Sequence, residues 1–251
     1  MPKPALNDLS WSDIQGIAQQ GNALDYFNVG DRKAVVLNGT VGAKTFSNQT
    51  VYAYILGFNH NASVEGNNTI HFQFGFDALS GGNHIAFCDS NYGSTGSGFR
   101  MNTSYTNSGG WSSSYMRNTI IPAFINAMPL DLQNALKTIT KYTNNTGKDN
   151  TASAVTATQD KVFLLSEYET FGTRSYANQY EQNSQAQYDY YKNGNAKIMY
   201  KDTSTSTAAY WWERSPHYDN SMDFCRVNTI GRANVSNADY SYGFAPAFVV
   251  G

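Results

Sequence analysis

Residues 217–242 are the segment that most limits what this chain can fold into. Of these twenty-six residues, 13 are Asn, Ser, Tyr or Asp. They lie between two stretches built for burial, Tyr210-Trp211-Trp212 before them and the run GFAPAFVV, residues 243–250, after them. Such a sequence must anchor its apolar brackets in a core while the polar run crosses the surface. Asn, Ser, Asp and Gly favour turns for backbone reasons, so an ordinary polar loop is one reading. An ordinary solvated loop also carries Lys or Glu, yet this one has no Lys, Glu, Gln, Trp, Leu or Pro. Tyr offers a large, rigid, amphipathic contact area, and Ser, Asn and Gly adapt their hydrogen bonds to a partner, which is how antibody paratopes are composed. Apart from Met222, each residue present is reachable from an Asn codon by changing adenines alone or belongs to a fixed framework.

The rest of the chain agrees with a neutral, hydrogen-bonding surface. Charged residues are 14 % of 251, against about 25 % in ordinary domains. Aromatics are 14 % and the formal net charge is −2, with no Lys/Arg cluster, so no nucleic-acid partner is expected. The start MPKPALNDLSWSD has no apolar signal core and no run is long enough to span a membrane, so neither a secretion signal nor a membrane span is expected. Cys88 and Cys225 each stand beside Phe in strand-like sequence and read as buried free thiols, with a disulfide as the alternative.

Secondary structure reads as α+β, with an antiparallel sheet and strands concentrated in the last third. Ser10-Trp11-Ser12-Asp13 is a reciprocal helix cap, with Trp11, Ile14, Ile17 and Ala18 at helical spacing and Gly21 as the stop. Residues 34–37 read as a strand turning at Asn38-Gly39. Residues 51–58 and 69–76 are strands, the second alternating through Ile70, Phe72 and Phe74. A Gly/Ser/Thr/Asn loop fills 93–110. Two helices follow, the first from Ser113 or Ser114 to Met128 with a kink or late start at Pro122, the second from Pro129 to Ile139. Residues 161–165 read as a short buried strand or helix lead-in, and 177–192 as helical. Strands close the chain at 210–212, 224–227 and 247–250.

No catalytic constellation emerges. His60, His71, His84 and His217 lack metal-ligand spacing, and His71 reads as a satisfied strand histidine. Glu167 and Glu169 are two apart and do not face each other on a helix. The GSTGSG stretch has neither the Lys nor the helix of a phosphate loop. No enzyme activity, metal or cofactor is expected.

Trp211-Trp212-Glu213-Arg214-Ser215-Pro216, then Phe224-Cys225-Arg226-Val227, Gly231, and Gly243-Phe244-Ala245-Pro246-Ala247-Phe248 resemble the spaced ending WW-x-RSP, F-x-x-V, G, G-x-x-P-x-F. That ending belongs to C-type-lectin-like variable proteins of diversity-generating retroelements, found in bacteriophages and gut bacteria. The likeness is carried by about the last forty residues. Glu213 departs from it, standing where an apolar residue, usually Leu, is expected. The resemblance implies one C-type-lectin-like domain over 1–251, with short antiparallel strands, two to four helices and long irregular loops. Residues 1–30 would be a helical lead-in and 210–251 the ligand-display segment.

The same resemblance implies that Trp211, Trp212, Arg214, Phe224, Val227, Gly231, Pro246 and Phe248 are scaffold. The hypervariable display positions would be His217, Tyr218, Asp219, Asn220, Asp223, Arg226, Asn228, Asn234, Ser236, Asn237, Asp239, Tyr240 and Tyr242. Strand alternation turns one or both of Asp223 and Arg226 outward, and Arg226 has a surface ion pair as its plainer reading. Calcium-dependent lectins of related fold carry Glu-Pro-Asn or Gln-Pro-Asp with Trp-Asn-Asp, and formylglycine-generating enzymes use a C-terminal cysteine pair. Neither set occurs here. The expected role is a receptor-binding or virion-surface protein that contacts a protein or glycan receptor on a target cell. It would sit on the phage surface, or in the cytoplasm before assembly. The alternative is a structural phage or bacterial component whose tail packs in a homo-oligomer.

Overall fold

The computed structural model describes residues 3–251. Ser10 begins the first helix as its sequence requires. Its Oγ accepts the Asp13 amide at 3.1 Å, and the Asp13 carboxylate accepts the Ser10 amide at 3.2 Å. Helix α1 (Trp11–Gln19) buries Trp11, Ile14 and Ala18, and α2 (Ala23–Tyr26) follows.

Strands β1 (Arg32–Val41) and β2 (Lys44–Phe58) form a long hairpin. Asn38-Gly39 is not its turn, because the register shifts there as a bulge and both strands run on to Gly42. Next come α3 (Ala62–Glu65), β3 (Ile70–Phe76) and β4 (Ile85–Ala86). All seven residues of β3 are buried, so its alternation does not mark one wet face. The strand is central in its sheet, and His71 and Gln73 are sequestered by hydrogen bonds on the second face.

After a long irregular segment come α4 (Gly110–Ser113), a π-helical turn over Met116–Ile120, α5 (Ile121–Ala127) and α6 (Leu130–Ala135). Pro122 is the second residue of α5, directly after the π-helical turn, so the helical run lacks one backbone hydrogen bond at that junction. The second expected helix stops early because Leu136 bridges to Val250. Strands β5 (Ile139–Asn144), β6 (Val155–Asp160) and β7 (Val162–Phe163) lead to α7 (Glu167–Phe171). Residues 177–192 are mostly not α-helical: a 3-10 turn covers Gln179–Asn183 and only α8 (Asp189–Lys192) is α. The chain closes with β8 (Met199–Lys201), β9 (Ser204–Ala209), β10 (Trp211–Pro216), β11 (Asp223–Val227), β12 (Ala233–Asn237) and β13 (Ala247–Val250).

The fold is therefore α+β. It has eight short α-helices among the described residues in place of two to four, and its longest strands are in the first third. The main sheet runs β1-β2-β3-β13-β7, and smaller sheets are β10-β11-β12, β4-β8-β9 and β5-β6. Pairing is antiparallel except for β4 with β8. The last strand, β13, lies between β3 and β7, so the C-terminus is tied into the sheet begun by the N-terminal third. Trp11, Phe72, Phe74, Phe87, Phe124, Phe244 and Phe248 interlock in the core beneath it. Each fully buried Phe is worth about 1.5–3 kcal/mol in transfer alone. Cys88 and Cys225 are buried free thiols.

Candidate functional site

Strand β10 carries the scaffold residues into the core. Trp211 and Trp212 point to opposite faces, and both are wholly buried. The Trp211 indole N–H donates to the Lys197 carbonyl and that of Trp212 to the Phe99 carbonyl, each at 2.9 Å. Phe224, Val227 and Phe248 are also fully buried, and Pro246 is buried. Gly231 lies half-buried in the turn after β11 at φ +76°, where an added Cβ would stand 3.0 Å from Ile198.

Arg214 continues inward. Its Nε donates to Thr143 Oγ1 at 2.7 Å, Nη1 to the Leu164 carbonyl at 2.9 Å, and Nη2 to Glu169 Oε1 at 3.0 Å. Lys141 joins the same network, its ammonium 2.7 Å from Glu65, 2.9 Å from Glu169 and 3.1 Å from the Tyr188 hydroxyl. Burial works to raise the Glu169 carboxyl, but the Arg214 and Lys141 charges outweigh it and hold the group ionised. Burial lifts Glu65 to about 7 against the opposing pull of Lys141, and lowers His60 to about 3. His60, Glu65 and Glu169 each place a donor atom within 4.8 Å of the others. The Lys141 ammonium already occupies the space between the two carboxylates, so a divalent ion would have to expel it. The cluster suits a buried ion-pair latch better than a metal centre.

Outside this scaffold the polar run takes much of its shape from groups other than its expected display side chains. The buried amide nitrogen of Asn107 lies 3.1, 2.7 and 2.9 Å from the carbonyls of His217, Asn220 and Asp223. Backbone bonds hold the rest: Asn107 N to Ser221 O, Tyr218 N to Tyr176 O, Ala238 N to Met222 O, Ser241 N to Ser94 O and Tyr242 N to Phe99 O. Ser241 is buried and shares hydrogen bonds with Asp89. All five residues of the outer strand β12 are half-exposed.

The expected display positions fall into groups. Arg226, Asn234, Tyr240 and Tyr242 cluster together. Arg226 is aligned with Trp212 and Asn234 across the three strands, and its Nε donates to Asn234 Oδ1 at 3.0 Å. Its guanidinium carbon is 3.9 Å from the Tyr210 ring centroid and 4.4 Å from that of Tyr242. Tyr242 also meets Tyr92, Trp212 and Tyr240. The plainer surface ion pair for Arg226 is absent among the described residues.

A second group has His217 stacked on Tyr218, with Tyr176 and Arg174 against them and Asp219 exposed beside them. Ser236, Asn237 and Asp239 are half-buried along and just beyond β12. Asn220 and Asn228 are half-exposed but shape turns, accepting the Met222 amide and the Ile230 and Arg232 amides respectively. Asp223 does not face outward: it is only 8 % exposed, folded under the 217–223 loop with Asn220 Nδ2 on one oxygen.

Sequence reasoning missed Tyr92, Lys201, Tyr210, Arg174 and Tyr176, which join these groups from outside the run. Tyr92 was the most accessible of them, since its NYGSTGSG loop repeats the composition of the run itself.

Residues 90–251 match the model of a family described as a domain of unknown function, DUF6273. The chain belongs to that family. No curated protein and no solved structure matches it. The DUF6273 segment takes in every expected display and scaffold position together with Tyr92, Lys141 and Glu169. It leaves out β1–β4, although its last strand pairs with β3. Elsewhere a cleft of about 380 Å³ is lined by Arg32, Phe76, His84, Tyr190 and Tyr200 among others, with no carboxylate in its walls.

Proposed function

We propose that this DUF6273 protein is a ligand-display protein of C-type-lectin-like fold, a receptor-binding or virion-surface component of a phage. Its C-terminal face, within residues 217–242, contacts a protein or glycan receptor. One observation carries the reading: the backbone of the run is fixed by Asn107, Ser241 and main-chain bonds from neighbouring loops, so most display side chains can change without changing the frame. A rigid frame lowers the ordering cost of binding, and a few Tyr and Arg anchors then supply affinity. Sequencing the locus across isolates tests this. Substitutions should concentrate at Tyr218, Asp219, Asn234, Ser236 and Tyr240, and an even scatter over the chain contradicts it.

A structural role in a homo-oligomer draws on Ile230, which is 60 % exposed at the tip between β11 and β12. Sedimentation of the protein and of Ile230→Asp separates the two readings: a multimer that dissociates on substitution supports the structural one.

A further inference from the structure

Arg226 and Lys201 sit over one continuous set of tyrosine rings. Lys201 Nζ is 3.9 Å from the Tyr92 centroid, Tyr92 packs edge-on against Tyr242, and Tyr242 stacks against Arg226. Neither cation has an ion pair among the described residues. Two neighbouring acids are committed elsewhere. Asp202 pairs with Lys44 at 2.7 Å, and Asp89 takes Ser241 and the Asn91 amide. Asp223 is buried outside ion-pair reach of Arg226, and Asp239, half-buried beyond β12, pairs with neither cation. Arg226 Nη1 is covered and has no acceptor, and Asp223 Oδ1 and Asp239 Oδ1 are likewise covered and unpartnered, so a ligand would meet the guanidinium at its other amino group.

Resting on the display reading, we propose that this face takes an acidic segment of a partner protein, with a carboxylate at Arg226, a second acidic group toward Lys201, and the tyrosine rings against the flanking side chains. Stacking and Asn234 hold the guanidinium in place before a ligand arrives, which reduces the entropy lost on pairing. Two isolated cations suit a local acid and not a phosphate backbone, which demands many. Tyr and Arg are also the residue types that carry energy at protein interfaces, here with a polar rim of Asn and Ser.

The test sorts a yeast-displayed random dodecapeptide library against the immobilised full chain. Asp and Glu should be enriched, and individual clones should lose about tenfold or more in affinity with R226Q, equivalent to about 1.4 kcal/mol, and less with K201Q. Thermal melts confirm that each variant folds, and K201Q carries the test if R226Q does not. Clones blocked by Tyr240→Asp but without acid enrichment overturn this inference and leave the display reading standing. Clones indifferent to R226Q, K201Q and Tyr240→Asp, or a library that yields none, contradict both. Preference for a heparin tetrasaccharide over every peptide overturns the protein class.

Discussion

Arg214 and Glu169 meet by two contacts in the interior, Nη2 to Oε1 at 3.0 Å and Nη1 to Oε2, with neither side chain exposed. The pair ties β10, the strand that leads into the polar run, to helix α7. Lys141 on β5 extends it to Glu65 on α3, so four distant segments share one charge network.

Removing one member leaves an uncompensated buried charge. Arg214→Ala should lower stability by about 3–5 kcal/mol in urea denaturation, and Glu169→Gln should also destabilise. A loss below about 1 kcal/mol for Arg214→Ala would show that the latch does not hold the frame.

Glu213 should behave in the opposite way. It is wholly buried, neither carboxyl oxygen has a hydrogen-bond partner, and the nearby Thr170 hydroxyl donates to the Ser166 carbonyl. Burial, with Glu167 and Glu181 nearby, pushes its carboxyl well above the usual range. The folded chain thus keeps a proton that the unfolded chain releases near 4.5, and stability falls as pH rises from there toward the folded value. Glu213→Leu should therefore stabilise by about 1–3 kcal/mol at pH 8 and by much less at pH 4. Destabilisation at pH 8 contradicts this.

The buried histidines act with the reverse sign. Burial depresses His60 and His84 to about 3 and His71 well below its ordinary value. Their contribution is complete above about 6.5, where the unfolded chain also carries neutral imidazoles, and is lost as pH falls toward 3. Long-range ¹H–¹⁵N NMR should find all three neutral at pH 5. A midpoint near 6.5 for His60 or His84 is the contrary result.

Gly231→Ala should cost about 1–2 kcal/mol in urea denaturation, because φ of +76° disfavours a side chain and Ile198 fills the space. An unchanged midpoint would mean that this turn relaxes freely.

Elements with local causes were legible in the sequence. The Ser10–Asp13 cap, the stop near Gly21, the strands through 51–58 and 69–76, and the tryptophans as buried anchors each follow from neighbouring residues. Features set by distant partners were not legible. Asn38-Gly39 has turn chemistry but sits in a bulge because β2 pairs past it. The alternation in β3 does not reveal that His71 and Gln73 on its second face are buried too, held by Tyr188 and the Ala245 carbonyl. Lys141, Glu65 and Glu169 lie far apart in sequence, and nothing local marks them as partners. For the candidate site, composition singles out residues 217–242, whereas Asp223 was misplaced because its strand position does not reveal the loop folded over it.

The most direct measurement randomises Tyr218, Asp219, Asn234, Ser236, Asn237 and Tyr240 together and scores each clone for folding by protease resistance. A replaceable surface on a fixed frame predicts that most clones stay folded, at a cost of about 0.5 kcal/mol or less per changed position. Resistance confined to clones that restore the parental residues, as expected for substitutions at Trp212 or Arg214, would contradict it.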